Sequence, residues 1–186
     1  MCWCSITQIT GYPSDLQSLL GTNYTVGNFG HSGATVSLNT WCPYMNQSEF
    51  KESMEFHPNF VVIMLGTNDD QSWARQYNGS FEHDYTELIT SYQQLANNPK
   101  MWLVIPPPIF SNNPDLNNTY LSENIIPQIQ DLANKLNLPT IDANSVFGNH
   151  ADYITDGVHP NSQGAEVIAN VVYNAINSHY NSSQIS

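Results

Sequence analysis

The sequence predicts a single α/β domain with three layers, in which helices cover both faces of a parallel sheet. Apolar runs of strand length alternate along the chain with segments whose apolar residues recur at helical spacing. The most apolar run, residues 60–65, lacks the alternation of a half-exposed strand and is typical of a strand buried on both faces. The 186 residues have the length of one domain, so we predict one domain over residues 1–186.

Four short apolar stretches are predicted as strands. Residues 60–65 end at a glycine, and residues 101–105 end at three successive prolines, which cannot donate to a strand ladder. Residues 24–28 and 139–142 are shorter candidates of the same kind.

Five segments between these strands are predicted as helices. Apolar residues spaced three and four positions apart build one buried stripe along each of the longer segments. The predicted helices cover residues 13–20, 48–56, 85–96, 121–136 and 165–176. Because helices connect successive strands, the strands run parallel, and the expected strand order is 2-1-3-4-5, as in flavodoxin-like sheets.

The amino terminus should supply a central strand of this sheet, and we predict a truncated first strand at residues 1–4. The part of its slot that this short strand leaves unfilled would leave backbone groups of the two flanking strands unpaired, at a cost of about 1–3 kcal/mol each. We expect water, a shifted loop or a segment of another chain to fill the slot. The last of these would make the protein self-associate by strand addition.

The charge balance excludes several classes of partner. The chain carries 4 basic and 16 acidic side chains, for a net charge of -12. Because nucleic acids and anionic membrane surfaces are bound mainly through basic side chains, neither is expected as a partner. The longest strongly apolar run, residues 60–65, is far too short to span a membrane.

The cysteines and histidines predict neither a metal site nor another cofactor. Cys2, Cys4 and Cys42 allow one disulfide at most, and no pair of them lies near a second cluster of cysteine or histidine. A link between Cys42 and one of the two amino-terminal cysteines is left open.

Five sequons for N-glycosylation occur, at Asn23, Asn46, Asn78, Asn117 and Asn181. Chance is one explanation, because a chain rich in asparagine, serine and threonine generates the pattern freely. The other is a glycosylated protein that is secreted or passes through the secretory pathway, although no signal-peptide pattern is visible at the amino terminus. We predict the secretory location.

Ligands of parallel α/β sheets bind beyond the carboxyl ends of the strands. Four polar stretches fall at such positions, at residues 5–8, 28–35, 65–69 and 156–160. In the last stretch, the spacing of Asp156 and His159 lets the carboxylate hold one imidazole nitrogen while the other faces a pocket, as a general base requires. The alternative is a turn that begins a helix, where aspartate and proline are common.

Two other stretches offer groups that stabilise negative charge on an oxygen atom. Asn68 follows the most apolar strand, so its side-chain amide is a candidate oxyanion donor, as is the backbone N–H of Gly33. The alternative for each residue is an ordinary turn. The glycine spacing around Gly33 and the absence of a following lysine do not fit a phosphate-binding loop.

Taken in order, these blocks resemble the signature of the GDSL, or SGNH, hydrolases. The matching residues are Ser32-Gly33, Gly66-Thr67-Asn68-Asp69 and Asp156-Gly157-Val158-His159. The resemblance implies the SGNH hydrolase fold and a serine esterase in which Ser5 is the nucleophile, His159 the base and Asp156 the residue that orients the base. It also implies an oxyanion hole formed by the backbone N–H groups of Ser5 and Gly33 and the side chain of Asn68.

The first block departs from the family pattern, because Trp3-Cys4 stands where the family has Gly-Asp before the serine. This departure leaves open a catalytically silent relative with a carbohydrate-binding or structural role. Within the family, the chain most resembles members that remove acetyl groups from carbohydrates. The polar loop at residues 111–118 favours a short acyl group over the long chain of a lipase or acyl-thioesterase substrate. Four aromatic residues near this edge either stack on a sugar ring or pack against protein, namely Trp41, Tyr44, Trp73 and Tyr77.

Overall fold

The computed structural model describes the backbone of residues 2–3 and 11–183 and the side chains of residues 11–178. Within these residues the chain forms one sheet of five parallel strands. The strands are β1 (Cys2–Trp3), β2 (Phe29–Gly30), β3 (Phe60–Met64), β4 (Lys100–Ile105) and β5 (Thr140–Asp142). Their spatial order, β2-β1-β3-β4-β5, confirms the predicted parallel sheet and its strand order.

The amino-terminal strand lies in the centre of the sheet. Cys2 pairs with Phe29 of β2 on one side and with Ile63 of β3 on the other. The prediction of a short first strand is therefore confirmed for β1, and the rest of residues 1–4 lies outside the described part of the chain. Because β1 separates β2 from β3, the carboxyl ends of these three strands lie side by side.

The prediction of a strand at residues 24–28 is wrong, because β2 begins at Phe29. The side chain of Gln17 instead binds the backbone along this stretch. Its Nε2 donates to the Tyr24 carbonyl at 3.0 Å, and its Oε1 accepts the Val26 N–H at 2.8 Å. The side chain of a helix residue thus forms the backbone hydrogen bonds that a neighbouring strand would otherwise form here.

Six α-helices of five residues or more occur in the described part of the chain. They are α1 (Tyr12–Leu20), α2 (Ser48–Glu55), α3 (Phe81–Gln93), α4 (Ile126–Leu136), α5 (Ala143–Phe147) and α6 (Ser162–Ser183). A helical turn at Asn118–Tyr120 and a π-helical turn at Leu121–Ile125 lead into α4. The five predicted helices are all present, whereas α5 is too short to show a helical period in the sequence. Its start is marked by Asp142, whose Oδ1 accepts the Ser145 N–H at 2.8 Å.

The helices form a layer on each face of the sheet. On one face, α1 and α5 pack against α6. On the other, α3 packs against α4, and the rings of Phe50 in α2 and Tyr92 in α3 meet edge to face with centroids 5.8 Å apart. Between the layers, β3 is fully buried from Val61 to Met64. The three-layer α/β/α architecture is as predicted, and it presents the carboxyl ends of the strands as one common edge.

Candidate active site

Asp156 and His159 form a hydrogen-bonded pair on the loop of residues 155–160, which we call the dyad loop. Asp156 Oδ2 lies 2.7 Å from His159 Nδ1. Asp156 Oδ1 accepts the backbone N–H groups of His159 at 2.8 Å and of Val158 at 3.0 Å. One carboxylate therefore holds both the backbone turn and the orientation of the imidazole ring. The His159 side chain keeps 25% of its surface exposed, so the ring is accessible from outside the protein.

These hydrogen bonds keep Asp156 ionised. Burial acts to raise the pKa of this carboxyl, but the bonds from the backbone and ring of His159 and from the backbone of Val158 outweigh it and lower the pKa to about 2. An ionised carboxylate beside Nδ1 favours the tautomer that carries its proton on Nδ1. Nε2 is then unprotonated, which is the state that a general base requires.

Gly157 allows the dyad loop to approach the segment that follows β4. Its φ is +87°, and a Cβ at this position would lie 2.6 Å from Ser111 Cα. The Gly157 carbonyl accepts the Phe110 N–H at 2.7 Å. The loop that carries Asp156 and His159 is therefore docked directly on this segment.

The structure brings the two candidate oxyanion donors, Gly33 and Asn68, into one neighbourhood. The Asn68 side chain is buried, and its Nδ2 donates at 3.0 Å to the carbonyl of Ala34, the residue after Gly33. Because a side-chain amide nitrogen carries two hydrogens, the bond to Ala34 leaves one of them for a further acceptor. Gly33 has a φ of +79°, a conformation that favours glycine at this turn.

Sequence reasoning missed the residue that joins these two blocks, Asp69. Its buried carboxylate accepts the N–H groups of Val36 and Ser37, each at 2.9 Å, and the Ser37 hydroxyl at 2.8 Å. Burial raises the pKa of Asp69 to about 6, although these hydrogen bonds act to lower it. Asp84 adds a further bond by accepting the Leu38 N–H at 2.8 Å. The signal in the sequence is an aspartate in the turn that follows a buried strand, a position that requires donors from elsewhere in the fold.

A second buried carboxylate, Asp70, connects the loop after β3 to the loop after β4. It accepts the Asn117 N–H at 2.6 Å and pairs with Arg75 Nη2 at 3.1 Å. Burial raises the pKa of Asp70 to about 6, against the opposing effects of Asn117 and Arg75. Nearby, the Ser72 hydroxyl donates to Asp115 Oδ1 at 2.6 Å. Since the dyad loop docks on the same segment after β4, all three loops form one connected edge.

Ser5, the predicted nucleophile, lies outside the described residues. β1 ends at Trp3, two residues before Ser5, and runs between β2 and β3. Gly33 follows β2 along the chain and Asn68 follows β3, so β1 lies between the strands that lead to the two oxyanion candidates. The role of Ser5, and with it the complete triad and oxyanion hole, stays a prediction.

The predicted glycosylation sites differ in accessibility. Asn23, Asn46 and Asn117 are exposed, whereas Asn78 is half-buried and its Oδ1 accepts a hydrogen bond from Gln128 Nε2 at 2.6 Å. The side chain of the fifth, Asn181, lies outside the described part of the chain. Glycosylation of these asparagines stays a prediction.

Cys42 is a buried free thiol, so the disulfide considered for it is not formed. Burial and the nearby Glu49 carboxylate raise the pKa of this thiol.

Across residues 11–178, no group of three or more histidine, cysteine or acidic side chains is arranged to hold a metal ion. None of the helices described in the structure has the length and hydropathy of a membrane span.

Residues 5–167 match the sequence pattern of the GDSL-like lipase/acylhydrolase family. The chain belongs to this family. The matched range begins at Ser5 and includes Gly33, Asn68, Asp156 and His159, the residues on which the resemblance was first based.

An acetylxylan esterase from Xylanibacter ruminicola is 34% identical to the chain over 184 residues. The alignment covers 89% of this chain and 38% of that relative. The chain therefore spans well under half the length of the curated relative it matches.

Solved structures share the fold at lower sequence identity. An aryl esterase from M. smegmatis has a TM-score of 0.74 at 19% identity, covering 95% of this chain and 98% of that one. A carbohydrate acetylesterase from Sinorhizobium meliloti has a TM-score of 0.72 at 18% identity, covering 95% of this chain and 98% of that one. A carbohydrate esterase family 3 protein from Talaromyces cellulolyticus has a TM-score of 0.73 at 18% identity, covering 96% and 95%. At these identities the likeness shows the fold, which is the one predicted.

Proposed function

We propose that the protein is a serine esterase that removes acetyl groups from carbohydrate. The observation that carries the proposal is the Asp156–His159 pair, because a carboxylate 2.7 Å from the imidazole nitrogen is the arrangement of an oriented general base. Membership of the GDSL-like family supports a serine nucleophile. The relative named an acetylxylan esterase supports an acetylated sugar as the substrate.

In the proposed reaction, Ser5 Oγ attacks the carbonyl carbon of the ester while His159 Nε2 takes the hydroxyl proton. The carbonyl electrons move onto oxygen, and the N–H groups of Ser5 and Gly33 and the Asn68 amide stabilise the oxyanion. As the tetrahedral intermediate collapses, the sugar oxygen leaves with the proton from His159. A water molecule then attacks the acetyl-serine by the same route, which releases acetate and regenerates Ser5.

The nearest alternative within the family is a lipase or acyl-thioesterase. A long acyl chain needs an apolar groove. The loop at residues 111–118 instead presents polar side chains that bind its own backbone, with the Asn113 N–H on Ser111 Oγ and the Asp115 N–H on Asn113 Oδ1, both at 3.0 Å. This loop supports a short acyl group such as acetyl.

The alternative from a different class is a catalytically silent relative with a carbohydrate-binding or structural role, which the replacement of Gly-Asp by Trp3-Cys4 supports. Labelling by an active-serine probe and release of acetate distinguish the esterase from the silent relative. For an esterase, a fluorophosphonate probe should label Ser5, and the protein should release acetate from acetylated xylan. Ser5→Ala should lose both, and Ser18→Ala, an exposed serine on α1, should keep both. A protein that takes no label and releases no acetate is the silent relative.

We also propose a location for the self-association predicted from the short first strand. A cleft of about 830 Å³ is lined mainly by residues 23–27 and 56–60. Residues 23–27 precede Phe29 along the chain, and residues 56–60 precede Ile63; Phe29 and Ile63 are the residues that pair with Cys2 of β1. The cleft therefore lies beyond the amino end of β1. An extended segment of a second copy would add there as a strand. Light scattering after size exclusion tests the proposal, and a monomer at every concentration would reject it.

The secretory location is proposed on the exposed sequons at Asn23, Asn46 and Asn117. Mass spectrometry of protein purified from its own cells tests the proposal, with a glycan on any of these residues as the expected result. Unmodified asparagine at all three would remove this support.

A further inference from the structure

Trp41, which is exposed, and Trp73, which is half-buried, form an aromatic surface beside the candidate oxyanion donors, and we call them the tryptophan pair. Trp41 is 70% exposed, the highest value among the exposed large hydrophobic side chains of residues 11–178. Its ring centroid lies 5.5 Å from that of Trp73, with the planes tilted by 52°. The other two aromatic residues predicted near this edge are less exposed than Trp41. Tyr44 is buried with its hydroxyl donating to the Phe29 carbonyl at 3.0 Å, and Tyr77 is half-buried.

Trp41 lies against the Gly33 position, and Trp73 is linked to Asn68 through Gln71. The edge of the Trp41 ring lies 3.4 Å from the point that a Cβ on Gly33 would occupy. The Trp73 Nε1 donates to Gln71 Oε1 at 2.9 Å, and Gln71 Nε2 lies 3.5 Å from Asn68 Oδ1. A molecule bound at Gly33 and Asn68 is therefore within reach of the pair.

Hydrogen bonds hold the loop that carries Trp41. At its base, the Thr35 N–H donates to the Cys42 carbonyl at 3.0 Å. Inside the loop, the hydroxyl oxygens of Thr35 and Thr40 lie 2.5 Å apart, and the buried carboxylate of Asp69 binds the residues that follow Thr35. Because the loop is already ordered, a ligand that covers Trp41 does not have to order the loop on binding.

We propose that the tryptophan pair binds the sugar ring that carries the acetyl ester, an inference that rests on the function proposed above. A pyranose ring has a flat face of C–H groups that can pack on an aromatic side chain while its hydroxyls stay in water. A neutral ligand also fits the charge of the chain and of the one arginine beside Trp73. The chain has a net charge of -12, and the nearby Arg75 is already paired with Asp70 and stacked over the Tyr120 ring.

An aromatic leaving group would stack on the same surface, so the kinetic test compares three acetyl esters. These are an acetylated xylo-oligosaccharide, p-nitrophenyl acetate, which carries an aromatic ring, and ethyl acetate, which carries neither ring. Trp41→Ala should lower kcat/KM for the sugar ester by about tenfold more than for ethyl acetate, mainly through KM. Trp41→Tyr keeps an aromatic face and should restore most of this loss. Leu19→Ala, which removes an exposed apolar side chain on α1, should leave all three rates unchanged.

A binding measurement without turnover separates failure of this inference from failure of the proposed function. In the Ser5→Ala background, adding Trp41→Ala should weaken binding of unacetylated xylo-oligosaccharides by about tenfold in calorimetry. This result supports the tryptophan pair even if the parent protein hydrolyses no ester. Absent binding by the Ser5→Ala protein, equal binding with and without Trp41, or a kinetic loss as large for ethyl acetate as for the sugar ester overturns the inference.

Discussion

Replacing Gly157 by alanine should damage both stability and catalysis, because the change falls within the loop that holds Asp156 and His159. At a φ of +87°, alanine is strained by about 1–2 kcal/mol. The new Cβ would also lie 2.6 Å from Cα and 2.7 Å from N of Ser111, and these backbone atoms cannot rotate away. Overpacking of this kind adds about 1–3 kcal/mol. We expect a loss of about 2–5 kcal/mol in the free energy of unfolding.

The same contact should lower activity, because the dyad loop has to move away from Ser111 to admit the methyl group. A displacement of about 1 Å in catalytic groups costs about 10²-fold in rate. Urea unfolding measures the stability, and acetate release measures kcat/KM. Gly21→Ala is the matched control, since it has a φ of +70° with nothing within 4 Å of the new Cβ. Gly21→Ala should lose stability through backbone strain and should keep its activity. If Gly157→Ala is no less stable than this control and keeps its activity, the dyad loop is not held against Ser111 as described.

The oxyanion donor, the buried carboxylates and the acyl site each give a further test. Asn68→Ala should lower kcat by about 10²–10³-fold because one oxyanion donor is lost, and an unchanged kcat would remove this side chain from the mechanism. The Tm should be higher near about pH 5 than near about pH 7.5, because folding raises the pKa of Asp69 and Asp70 from 3.8 to about 6. The stabilisation by their bound protons is complete below the unfolded pKa and is lost as the pH rises through about 6. A Tm that increases over this range contradicts the argument. Acetyl esters should be hydrolysed faster than octanoyl esters, and the reverse preference would move the assignment to a lipase.

Local features of this protein follow from the sequence by itself. The apolar run of β3 predicts its own burial, and repeated apolar spacing predicts the long helices, because each pattern lies within one element. The Asp156–His159 pair is also local. Its two side chains are three residues apart, so a single turn of backbone brings them together whatever the rest of the fold does.

Only the tertiary structure decided which distant groups meet. Asp69 binds Val36 across 33 residues of chain, and the ring centroids of Trp41 and Trp73 come to 5.5 Å only because the loops after β2 and β3 share one edge. The strand predicted at residues 24–28 fails for the same reason, since Gln17 on a helix takes backbone bonds there. An apolar pattern indicates that a residue is buried, and a polar residue within the fold indicates that a hydrogen bond is needed. The partner that satisfies it is set by the packing of the whole sheet.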